Sequence, residues 1–93
     1  MYSLEFRAWI GHKDDVDVDE PVEFFSKDFE SLQKAKLVIN GNDCIQWDEG
    51  EYNGEYLTIS FKHNPKIFDE TGKLVSECKI TDWDDYEFDW IDG

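Results

Sequence analysis

The chain is short of positive charge. Nine Lys and Arg stand against 23 Asp and Glu, a formal net charge of −14. Affinity for nucleic acid comes from neutralising phosphates with Lys and Arg, so this composition argues against direct nucleic-acid binding. An anionic membrane surface is disfavoured for the same reason. No stretch approaches the roughly 18 apolar residues that a membrane-spanning helix needs. Met1–Ile10 alternates polar and apolar residues, unlike the charged start and apolar run of a secretory leader. Cysteine appears only at Cys44 and Cys78, which reads as two reduced thiols in a cytoplasmic protein. With His12 and His63 they make no metal-ligand spacing. There is no G-x-S-x-G, P-loop, Rossmann fingerprint, C-x-x-C or H-E-x-x-H. Neither histidine has a neighbouring Cys or Ser to activate as a nucleophile. Asp15-Val16-Asp17-Val18-Asp19 has the look of a calcium loop, but Glu20 stands where an EF-hand needs Gly and Ser26 where it needs Glu. The expectation is a protein without catalytic residues, metal or cofactor.

What is present is a core. The chain is 40% hydrophobic and has four Trp, four Tyr and seven Phe, enough for one folded domain over residues 1–93 despite the charge. Tyr2–Ile10 puts Tyr2, Leu4, Phe6, Ala8 and Ile10 on one face of a strand. Gly11 ends it, and His12–Pro21 reads as a loop. Apolar residues at Phe25, Phe29, Leu32, Ala35 and Ile39 fit helical spacing, with Ser26 or Asp28 as N-cap and Asn40-Gly41 as the stop. Asp43–Asp48 is a short strand and Glu49–Gly54 a turn. Glu55–His63 is a strand with Leu57, Ile59 and Phe61 facing inward. Lys66–Asp69 and Lys73–Ile80 are two arms around Asp69–Gly72. In Tyr86–Ile91, Tyr86, Phe88 and Trp90 alternate with Glu87, Asp89 and Ile91. The predicted fold is α+β: a single helix on a curved antiparallel sheet of about five strands, in β-α-β-β-β-β order.

The acids are segregated. Asp14–Glu23 holds six, Asp43–Glu55 five and Asp82–Asp92 six, and none of these windows contains Lys or Arg. A small domain needs a net charge of roughly 2–8 in magnitude for solubility. The excess here costs stability through self-repulsion and attracts a cationic surface. In the last window, Asp85, Glu87 and Asp89 would repeat along one strand face at about 6.8 Å. Successive phosphates along a nucleic-acid strand are spaced at a similar interval, roughly 6–7 Å. The candidate partner-binding residues are therefore Asp14, Asp15, Asp17, Asp19, Glu20, Asp48, Glu49, Glu51, Asp82, Asp84, Asp85, Glu87 and Asp89. Tyr52 and Trp83 are candidate aromatic anchors, since Tyr and Trp dominate interface hot spots.

In size, charge and one-domain economy the whole chain resembles small inhibitors encoded by phages and mobile elements. These include anti-CRISPR, anti-restriction and uracil-DNA glycosylase inhibitor proteins, several of which mimic nucleic acid. The likeness is one of composition and rests on no motif. It implies a DNA or RNA mimic that occupies the Lys/Arg-lined groove of a basic nucleic-acid-binding protein, with a CRISPR effector the first candidate. Two alternatives share the charge: an immunity or antitoxin protein that plugs a toxin nuclease, and an acidic interaction module without mimicry.

Overall fold

In the computed structural model, which describes residues 1–93, seven strands and one helix follow in order. They are β1 (Tyr2–Ile10), β2 (Glu23–Phe29), α1 (Leu32–Val38), β3 (Cys44–Gln46), β4 (Tyr56–Ile59), β5 (Lys66–Phe68), β6 (Leu74–Asp82) and β7 (Glu87–Asp92). A single 3-10 turn, Gly50–Tyr52, lies between β3 and β4. The fold is α+β, one helix with one curved antiparallel sheet.

β1 is the spine. Its alternation places Leu4, Phe6 and Ala8 on the buried face. β2 pairs along one edge, Tyr2 opposite Phe29 and Ala8 opposite Glu23. Two strands share the other edge: β4 takes Ala8–Ile10 and β5 takes Ser3–Glu5. β3 pairs outside β4, and β6 then β7 extend beyond β5. The resulting path is β3-β4-β1-β5-β6-β7, with β2 branching from β1. α1 packs on β1, β2 and β5 and buries Ala35 and, at its C-cap, Ile39. Phe6 and Phe25 stack at 5.4 Å, and Trp47 meets both edge-on at 5.4 and 5.6 Å. The curvature brings β7 to the helix, where Trp90 Nε1 donates to the carbonyls of Lys36 and Ile39, both at 3.0 Å.

Several expectations are corrected. The sheet has seven strands, not about five, and the order begins β-β-α. The expected helix start is β2, and the true N-cap is Ser31, whose Oγ accepts from the Lys34 amide at 3.1 Å. Phe25 and Phe29 are four apart, and positions i and i+4 share a face in a strand as they do in a helix. Pairing with all of β1 through Ala8 decides in favour of the strand. The strand expected over Glu55–His63 stops at Ile59, and Thr58 and Ser60, which alternate with the inward Leu57 and Ile59, are buried as well. Asp85 and Tyr86 lie in the turn before β7, so the strand carries Glu87 and Asp89 but not a row of three acids.

Strand direction positions the loops. β3 and β6 run parallel to β1, because each is two antiparallel steps away from it. The chain therefore leaves β1, β3 and β6 at the same end of the sheet, through residues 11–22, 47–55 and 83–86. The opposite end carries α1 and the β5–β6 turn, with Lys34, Lys36 and Lys73.

Candidate docking site

The β1–β2 arm is held in place by its own backbone. Gly11 leaves β1 at φ +132°, where only glycine is comfortable. Its amide donates to the Tyr56 carbonyl at 2.7 Å. Trp9 Nε1 donates to the Glu20 carbonyl at 2.9 Å and pins the far end back onto β1. Between them Asp15 N bonds His12 O and Glu20 N bonds Asp17 O, at 2.8 and 3.0 Å. These tight turns keep Asp14, Asp15, Asp17, Asp19 and Glu20 exposed on an ordered segment.

The β6–β7 turn is built by Asp82, whose Oδ1 accepts from the amides of Asp84 and Asp85 at 2.9 and 3.3 Å. That holds Trp83, Asp84 and Asp85 outward, and Trp83 is 75% exposed. Tyr86 closes the turn at φ +52°, a left-handed conformation uncommon for a bulky side chain. Burial, then the carboxylate of Asp43, pushes its phenol above the ordinary tyrosine range.

The β3–β4 connection starts from the same end but folds inward. Trp47 enters the core and Asp48 is drawn to Lys27 on β2, Nζ to Oδ1 2.9 Å. Tyr52 is half-buried against Phe25 rather than free. Burial and then the nearby Glu51 and Glu23 raise its phenol as well. Glu49 and Glu51 stay exposed beside it.

The candidate acids are mostly free of internal cations. Asp48 alone among them pairs with a lysine, and Asp14 lies 4.0 Å from His12. Asp15, Asp17, Asp19, Glu20, Glu49, Glu51, Asp82, Asp84, Asp85, Glu87 and Asp89 meet no Lys or Arg within 4.0 Å. Asp89 lies within β7, and its Oδ1 accepts the Trp90 amide. Of the molecule's other lysine pairs, Lys36–Asp92 at 2.6 Å and Lys34–Glu30 at 3.6 Å belong to the helical end, Lys79–Glu77 at 4.0 Å lies within β6, and Lys13–Asp43 at 3.5 Å joins the first arm to the start of β3.

Where the first arm faces the β6–β7 turn they enclose a cleft of about 450 Å³. Val16 and Val18 line it from the arm, and Trp83 and Tyr86 from the turn. Trp9 and Ile80 line it from the sheet, and Phe61 from the turn after β4. Asp43 and Ser60 contribute polar atoms. Neither was among the sequence candidates, because burial depends on how β3 and β4 meet and leaves no mark in the residue pattern. No cluster of three or more His, Cys, Asp or Glu comes together to hold a metal. No helix is long and apolar enough to cross a membrane. No protein-family model matches the chain, and no curated protein or solved structure is significantly similar to it.

Proposed function

We propose that this protein is a small stoichiometric inhibitor that docks its acidic end into the cationic groove of a nucleic-acid-binding protein, as a mimic of DNA or RNA. A phage or mobile-element origin, a cytoplasmic site of action and a CRISPR effector or restriction-type nuclease as target all fit this reading. The observation that carries it is the segregation of charge: the three short loops leaving β1, β3 and β6 at one end carry 11 of the 23 acids and, among Lys and Arg, only Lys13. A field of this kind steers a cationic partner into contact and speeds association at low salt. The acids are presented on hydrogen-bonded turns, so little ordering entropy is lost on docking. Exposed Trp83 stands amid them as an apolar anchor.

The test is competition. A labelled duplex is bound to each of a panel of cationic nucleases, CRISPR effectors and toxin nucleases among them, and the protein is added at about 50 mM salt. Displacement from one target at micromolar concentration is expected, fading as salt rises. Failure to displace nucleic acid from any of them at low salt overturns the proposal.

A further inference from the structure

The cleft between the first arm and the β6–β7 turn has a feature that an acidic surface alone does not explain: it sets a largely buried carboxylate and a buried, unpartnered hydroxyl among aromatic walls. Asp43 is only 9% exposed, yet its carboxylate meets a single cation, Lys13, with Nζ at 3.5 Å. That lysine is itself largely in solvent and is held to nothing else except the face of Tyr86, 5.9 Å away. Beside it Ser60 is 1% exposed, and its Oγ has no hydrogen-bond partner. A buried hydroxyl without a partner is rare and costly, because the group has given up water for nothing. The Asp43 carboxylate, though largely buried, has one exposed lysine as its only counter-charge. Around these two atoms the walls are apolar and aromatic: Trp9, Val16, Phe61, Ile80, Trp83 and Tyr86.

The geometry points to a socket for one arginine side chain of the protein partner, which enters by displacing Lys13 from Asp43. Arginine suits every part of it. Its methylene stem lies on apolar walls, its guanidinium forks onto a carboxylate, and its flat face stacks on Trp or Tyr. One of its remaining N–H groups is free for Ser60 Oγ. Lysine, with a single point charge, already sits there at a distance too long for a good hydrogen bond. The cleft is larger than one side chain, so residues flanking that arginine cover Val18 and Trp83, which are otherwise exposed. A larger cavity of about 530 Å³ beside β3 lacks this character, since its carboxylate, Asp48, already holds Lys27 through both oxygens.

This inference rests on the docking reading, since it supposes a cationic protein partner, but it is tested without that partner. The probe is N-acetyl-arginine methylamide, titrated to tens of millimolar while amide and indole resonances are followed by NMR. Citrulline and lysine analogues serve as controls. Saturable shifts confined to Ser60, Tyr86, the Asp43 amide and the Trp83 indole are expected with arginine. Citrulline should give none, and lysine weaker ones. Lys13→Ala should tighten arginine binding several-fold, because the internal competitor is gone. Asp43→Asn, isosteric and with its backbone bond to Ile59 intact, should weaken it about tenfold or more. Equal shifts with citrulline, shifts spread over all the acidic loops, or no effect of Lys13→Ala each overturn the socket. If arginine saturates the cleft but no nuclease is ever displaced, the socket stands and the inhibitor reading falls. If displacement occurs and Asp43→Asn displaces as well as wild type, the reverse holds.

Discussion

Trp90 fastens the curled edge of the sheet to the helix, and removing only its N–H measures that fastening. The Lys36 and Ile39 carbonyls lie at the C-terminal end of α1, where carbonyls have no partner within the helix. One indole N–H serves both at 3.0 Å. Trp90→Phe keeps an aromatic ring in the same place and deletes the donor. The net loss of one hydrogen bond is about 1 kcal/mol, and leaving part-buried carbonyls unpaired raises the cost to about 2 kcal/mol. For a domain of this size each kcal/mol moves Tm by about 4–8 °C. The expected fall is therefore roughly 5–15 °C, with a lower urea midpoint and an unchanged slope. Trp83→Ala is the control: its side chain is exposed, so the change should stay within about 0.5 kcal/mol. Urea melts followed by circular dichroism decide the matter. A Trp90→Phe protein as stable as wild type would show that β7 is held by its pairing with β6 and by the Lys36–Asp92 pair, without help from the indole bonds.

Other consequences follow from charge and burial. Salt at about 0.2 M should raise Tm, since screening relieves repulsion among acids that lack internal partners; a flat or falling Tm would mean that they are paired. The bonds from Lys36 and then Ser76 hold the Asp92 carboxyl below the usual range. Those from Thr71 and the Lys73 amide do the same for Asp69. Both folded-state values lie below the unfolded ones, so their stabilisation is complete above about pH 4 and is lost as pH falls through the folded values. An acid titration of Asp69→Asn and Lys36→Met should show a smaller loss below pH 4 than wild type. Burial, and secondarily Asp89, pushes the Cys78 thiol up to about 12, so it should resist alkylation at pH 8 in the native protein. Half-buried Cys44 should react first, and Cys78 only in denaturant. Equal native labelling of both would contradict the burial of β6.

Much of the strand pattern was legible because alternation is local. Leu4, Phe6 and Ala8 point inward as their spacing requires, and so do Phe88 and Trp90. β2 was not legible, since Phe25 and Phe29 satisfy both periodicities and only the distant β1 tells them apart. Tyr86 continued the alternation of β7 in sequence but lies in a turn, because the β6–β7 register slips between Ile80 and Asp82. Of the site, the three acidic windows and the two candidate anchors could be read from residues, but not that Trp83 would be exposed and Tyr52 packed against Phe25. Asp43, Ser60 and Lys13 could not, since they meet only when the arm, β4 and the β6–β7 turn converge.

The claim that matters most is that docking belongs to one end of the molecule. Two variants of equal charge change test it: Asp15→Asn, Asp84→Asn and Asp85→Asn together at the loop end, and Asp28→Asn, Glu30→Gln and Glu70→Gln together at the helical end. Affinity for a displaced target, measured by titration at 50 mM salt, should fall about tenfold or more for the first and less than about twofold for the second. Equal losses for both would mean that net charge alone, with no docking face, governs the interaction.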